Sequence, residues 1–254
     1  MVVNWLKYII VKRSNMRLDR FLSECGCGTR SEVKKIIKNG CVKLNGENVK
    51  KAEIQINEAE DEISVNGNVL IYNEFVYYML NKPAGYVSAT RDNRDRTVME
   101  LLEDEDKGDD IFPVGRLDKD TEGLLILSND GKMAHNILSP KKHVKKTYFV
   151  RVDGKVKDEH IEMFRNGVDI GEKKPTLPAE LRIIEAGDVS EVELTICEGK
   201  FHQVKRMFKV LGLEVIFLKR IKMGSLSLDE NLKPGQYRRI TDKELEMLCD
   251  IWKE

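Results

Sequence analysis

At 254 residues the chain has room for one large domain, or for a small domain beside a larger one, with a core that needs no disulfide or metal to fold. Its charged fraction of 34% is balanced, 43 basic against 43 acidic residues, so net charge gives no sign of a polyanionic partner. Five cysteines, at 25, 27, 41, 197 and 249, are odd in number and lack both C-x-x-C spacing and clustered histidines, which argues against a disulfide framework or a zinc site and for reduced thiols in a cytosolic protein.

The first segment, "MVVNWLKYIIVKRSN", is too short to span a bilayer, is interrupted by Lys7 and carries no small-residue cleavage site. Met16 opens "MRLDRFLSECG", which reads as a helix start, so residues 1–15 are expected to be an extension with little order. Residues 16–72 then read as one compact module. Leu18, Phe21 and Leu22 mark one short helix and Val33, Ile36 and Ile37 a second, with Thr29 or Ser31 placed to cap it. Alternating residues around "NG" turns follow, as in a small curled sheet. Arg30, Lys34, Lys35 and Lys38 fall opposite the apolar stripe of the second helix and give the module a basic face.

A boundary is expected near Tyr72, with the second domain at 73–254. Its predicted strands are Phe75 to Asn81, Gly123 to Ser128, Lys146 to Asp153, Leu181 to Glu185, Glu191 to Cys197 and Glu214 to Ile221. Its predicted helices are Val98 to Leu102, Lys132 to Leu138, Asp158 to Arg165, His202 to Leu211 and Asp242 to Trp252. Irregular alternation of the two predicts an α+β domain with a mixed, mainly antiparallel sheet, and no phosphate-cradling glycine loop is present. Acids gather in "ELLEDEDKGDD" and bases in "KFHQVKRMFK", which suggests segregated surface charge.

"GRLDKDTEGLLILSNDG" places Asp118, Asp120 and Glu122 at alternate positions before Gly123. A calcium loop would need a bidentate Glu at its twelfth position, where Asn129 stands, and the apolar "LLILS" reads as a buried strand. A phosphoryl-accepting Asp would need a flexible loop and further acids for magnesium, which "DKDTE" does not offer. Asp118 remains as a single carboxylate at the edge of an apolar core.

Taken in order, "MRLDRFLSECGCGTRSEVKKIIKNGCVKLNG", "NKPAG", "GRLD", "KTY" and "HQVKRM" resemble the pseudouridine synthases that modify ribosomal RNA and carry a module like that of ribosomal protein S4. The segments "SPKKHVKKTYFV", "KKPTLPAEL" and "PGQYRRIT" are most similar to the branch acting on small-subunit RNA. The resemblance implies an S4-like RNA-binding domain before a synthase domain and a reaction in which uracil is detached from its ribose, turned and rejoined through C5, without metal or organic cofactor. It places the essential carboxylate on Asp118, the base-stacking tyrosine on Tyr148, whose hydroxyl is a candidate to take the C5 proton, and the basic partner on Lys205. An ammonium near a carboxylate in an apolar site keeps it ionised. Lys205 stands where many members have Arg, which keeps the charge but loses the bidentate fork. Arg116 matches the residue that fills the gap left by the flipped base, although by itself it could equally cap a neighbouring helix; His202 and Gln203 are assigned to the helix and the RNA backbone, and Lys82 and Pro83 to a turn without chemistry.

The expected partner is therefore 16S ribosomal RNA or an assembling small subunit, met in the cytoplasm by a monomer with no membrane attachment. Two alternatives stay open from sequence: a synthase acting on large-subunit RNA, and a non-catalytic RNA-binding assembly factor. Asp118, Tyr148 and Lys205, all present, favour an enzyme over the latter.

Overall fold

The computed structural model describes residues 15–58, 60–70, 75–108 and 110–250. The expected extension, apart from Asn15, the expected boundary at Tyr72 and the predicted helix end at Trp252 lie outside these residues. The chain divides into two compact units, Met1–Glu74 and Phe75–Glu254.

The first unit runs β1 (Asn15–Arg17), α1 (Leu18–Glu24), α2 (Arg30–Lys38), β2 (Val42–Leu44), β3 (Glu47–Asn48), β4 (Gln55–Asn57), β5 (Ile63–Val65) and β6 (Asn68–Leu70). Met16 is therefore a strand residue, paired with Ile56, and the helix expected to open there begins at Leu18. Thr29, not Ser31, caps α2: its hydroxyl accepts the Glu32 N–H at 3.4 Å and its own N–H donates to the Glu32 carboxylate at 2.8 Å, a reciprocal pair that satisfies two amides at the helix start. Leu18, Phe21, Leu22, Val33 and Ile37 are buried against Val42, Ile56 and Ile63. The sheet order is β3-β2-β5-β6, and both hairpins turn on Asn-Gly pairs with positive φ, 52° and 85° at Asn45-Gly46 and 52° and 86° at Asn66-Gly67. Arg30, Lys34, Lys35 and Lys38 are all exposed.

The second unit contains β7 (Tyr77–Lys82), β8 (Phe112–Val114), β9 (Glu122–Ser128), α3 (Gly131–Leu138), β10 (Lys146–Asp153), α4 (Asp158–Arg165), β11 (Glu180–Glu185), β12 (Val189–Ile196), α5 (Gln203–Val210), β13 (Glu214–Met223), β14 (Leu226–Ser227), β15 (Tyr237–Arg239) and α6 (Asp242–Asp250). They form a nine-stranded sheet among the described residues, ordered β11-β12-β10-β13-β9-β7-β15, with β14 added to β13 and β8 to β9. Among the described residues β13 and β9 are the one pair of strands in parallel, so the sheet is mixed and mainly antiparallel. Val98–Leu101 is a single 3-10 turn, where an α-helix was expected. Four residues are too few for an α-helical ladder to establish itself.

The apolar run of β9 is continuous because the strand has protein on both sides. Leu125 and Leu127 face a core shared with Phe164 of α4 and with Val204, Met207 and Phe208 of α5, while Leu124 and Ile126 face Met133, Ala134 and Ile137 of α3. β10 is covered on one face only and alternates accordingly, with Tyr148, Val150 and Val152 buried.

Where β7 ends, Lys82 is fully buried and its Nζ donates to the carbonyl oxygens of Thr121 at 2.8 Å, of Asp118 and Pro83 at 3.1 Å and of Lys119 at 3.3 Å. Burial pushes its pKa down to about 8, against the pull of Asp120, Glu122 and Asp118. Lys82→Met keeps the length of the stem and leaves these carbonyls without their donor, for an expected loss of about 2–4 kcal/mol in denaturant unfolding. Since the folded lysine releases its proton near pH 8 and the unfolded one in the ordinary lysine range, unfolding takes up a proton between them. The stability difference between wild type and variant should therefore grow in favour of wild type as pH rises through that window; a flat difference would show that burial does not lower the Lys82 pKa.

Candidate active site

Asp118 lies on the turn between β8 and β9, and this turn is held from several sides. Thr121 N–H donates to the Asp118 carbonyl at 3.0 Å, and Gly85 N–H donates to the Lys119 carbonyl at 2.7 Å. Just upstream, the buried Ser88 hydroxyl accepts the Leu117 N–H and donates to the Leu117 carbonyl, each at 3.0 Å. With the Lys82 ammonium these bonds fix the backbone on both sides of Asp118 while leaving its side chain 31% exposed. A group whose backbone is so constrained presents its carboxylate with little reorganisation.

The other wall of the cleft is the start of α5. Val204, Met207 and Phe208 anchor that helix in the core, and Lys205 consequently projects towards the turn. Its Nζ lies 3.6 Å from Asp118 Oδ2 and 2.5 Å from Asp120 Oδ1. The lysine expected to partner Asp118 thus sits between two carboxylates and bonds the shorter way to Asp120. Burial works to raise the Asp120 pKa, but the Lys205 hydrogen bond and charge outweigh it and hold the pKa below the usual carboxylate value. His202 Nε2 is 3.6 Å from Asp118 Oδ1, so an imidazole also faces the carboxylate. Ala84 and Gly85 complete the lining of this cleft with Asp118, Lys119, Asp120, His202 and Lys205.

Tyr148 is only 8% exposed and belongs to the main core. In register it opposes Arg220 of β13, which in turn opposes Gly123 of β9. Gly123 has φ 100°, and a Cβ there would strike the Arg220 backbone, so only glycine lets β9 and β13 close at this point. Arg220 is buried with its Nε donating to the Leu124 carbonyl at 2.8 Å, and its Nη2 has no hydrogen-bond partner. Burial lowers its pKa, opposed by Tyr148 beside it. Nothing in the sequence singles out Arg220, because an arginine in a strand gives no signal of burial.

The remaining candidates separate. Gln203 was expected to meet RNA, but it is 3% exposed and its amide is engaged within the protein, accepting from Lys200 N–H at 2.9 Å and donating to Glu198 at 3.0 Å. It supports the loop before α5. Arg116 is exposed and caps no helix among the described residues. Arg30, Lys34, Lys35 and Lys38 belong to the first unit. Cys25, Cys27, Cys41 and Cys197 are free, and burial pushes the Cys25 thiol up to about 11 and raises that of Cys27, away from thiolate chemistry. Among the described residues no three His, Cys, Asp or Glu side chains gather as metal ligands.

Residues 76–209 match the RNA pseudouridylate synthase family, a span that includes Asp118, Tyr148 and Lys205, and residues 16–63 match the S4 domain. An uncharacterised RNA pseudouridine synthase of Bacillus subtilis (strain 168) is 46% identical over 235 residues, 92% of this chain and 98% of that protein. Ribosomal small subunit pseudouridine synthase A of Haemophilus influenzae is 43% identical over 235 residues, 92% of this chain and 99% of that protein. A solved pseudouridylate synthase is 41% identical and superposes with a TM-score of 0.65, covering 92% of this chain and 99% of the other. Family model, relatives and solved structure agree over most of the chain, and it belongs to the RNA pseudouridine synthases, isomerases of RNA, with an S4 domain ahead of the synthase domain.

Proposed function

We propose that the protein converts a uridine of 16S ribosomal RNA to pseudouridine, with Asp118 as the essential carboxylate. The observation that carries this is the Asp118 side chain, presented from a backbone fixed on both sides and facing Lys205 and His202 across an open cleft. Asp118 acts beside C1′ and C6 of the extruded nucleotide, as nucleophile or as electrostatic stabiliser, while the C1′–N1 bond breaks. The uracil turns, C5 bonds to C1′, and the C5 proton leaves to a base, for which the Tyr148 hydroxyl is the candidate. Lys205, between Asp118 and Asp120, offsets one of their two negative charges.

Small-subunit RNA is favoured because relatives at 43% and 42% identity, from Haemophilus influenzae and Vibrio vulnificus, carry the name ribosomal small subunit pseudouridine synthase A. The exposed lysines and arginine of α2 suit the RNA backbone, and an assembling subunit is as suitable a substrate as free RNA. Among the described residues no helix is long and apolar enough to cross a membrane, and we place the enzyme in the cytoplasm as a monomer.

Two sets of variants test this reading. With C5-tritiated 16S transcript or early small-subunit particles, Asp118→Asn should fold and bind RNA but release no tritium. Asp120→Asn should remain active, since Lys205 then has Asp118 as its nearest carboxylate, and Lys205→Met should lie between the two. Tritium release by Asp118→Asn would remove the proposed chemistry, and release from 23S but not 16S RNA would move the enzyme to the large subunit. For capture, the Lys34→Glu, Lys35→Glu double variant should weaken RNA binding and reduce the salt slope by about 1 per lost phosphate contact. An unchanged slope would mean that this face does not touch the phosphates.

A further inference from the structure

Phe201 is 73% exposed, the highest value among the large apolar side chains of the described residues, and it stands at the entrance to α5 beside the cleft. Its ring is stacked on that of His202, with centroids 3.8 Å apart and planes 18° from parallel. Consecutive side chains ordinarily diverge, and the left-handed backbone at His202, φ 48°, is what aligns these two.

The arrangement is held in place. Lys200 Nζ donates to the carbonyls of Lys174 and Pro175 at 2.9 Å each, Arg206 donates to the Phe201 carbonyl at 3.1 Å, and Arg206 is itself paired with Glu172 at 2.8 Å. The protein therefore fixes an aromatic ring, supports one face of it with an imidazole and leaves the other face to solvent. One edge of the pair reaches the reactive carboxylate, since His202 Nε2 lies 3.6 Å from Asp118.

We propose that the free face of Phe201 is a stacking platform for an unpaired base that flanks the target uridine. The inference rests on the reading that RNA is modified at Asp118. A single exposed planar ring suits an unpaired base, because every base offers a π-face. A protein partner would call for a contiguous apolar patch. A base on Phe201 is separated from Asp118 by one side chain, His202, so the ring would hold the strand in register while the neighbouring nucleotide is extruded.

The test compares Phe201→Ala, Phe201→Leu and Phe201→Trp on C5-tritiated 16S transcript and, separately, on a short fluorescein-labelled oligouridylate. Phe201→Ala should raise KM and the oligouridylate Kd about tenfold, with kcat changing little by comparison and the salt slope of binding unaltered, as loss of a stack without loss of a phosphate contact requires. Phe201→Trp should restore both constants and Phe201→Leu should not. Equal affinity of wild type and Phe201→Ala for the oligouridylate, or full rescue by Leu, would overturn the platform. A wild-type protein inactive on every transcript would instead remove the function proposed above, and the oligouridylate titration would still decide the role of Phe201.

Discussion

The ammonium of Lys82 is the contact on which the cleft depends. It is fully buried, and it turns the carbonyl oxygens of Asp118, Lys119 and Thr121 inward upon one cation, so the turn that bears the carboxylate closes over the end of β7. A buried charge is tolerated only where acceptors surround it. Those acceptors are the backbone of the Asp118 turn, and any shift of the turn would leave the charge unsolvated. The desolvation cost of one lysine is thereby converted into rigidity at Asp118.

The sheet carries this constraint further. β9 begins directly after the turn and is packed on both faces, so it cannot slide without disturbing two cores. Gly123 allows the backbone of β13 to approach β9, and the same register brings Arg220 and then Tyr148 into line. The helix α5 is seated in one of those cores by Val204, Met207 and Phe208, and so delivers Lys205 to the opposite wall. Asp118 and Lys205 are separated by many residues of chain, yet both positions follow from the packing of a single strand and a single helix.

Much of this was legible in the sequence where the signal is local. The two Asn-Gly pairs marked their hairpins, Thr29 and Ser31 together marked the start of α2 without deciding between them, and the unbroken "LLILS" marked a buried strand. The order of "GRLD", "KTY" and "HQVKRM" carried the resemblance that the family match and the fold later supported. What escaped was non-local. Lys82 meets partners 36 to 39 residues away, Lys205 chooses between two carboxylates 85 and 87 residues away, and Gln203 turns inward to a loop, none of which is written in spacing. β8, β14 and β15 are two or three residues long and exist because β9, β13 and β7 offer them edges.

The central claim is that the carboxylate of Asp118 is the group that meets the reacting nucleotide. A crystal structure of the protein bound to an RNA containing the modified position tests it most directly. The account predicts an extruded base in the cleft, with an Asp118 oxygen within about 3.5 Å of C1′ or C6 and Lys205 on the far side of the carboxylate. A base held out of reach of Asp118, with another carboxylate at C1′ or C6, would contradict it.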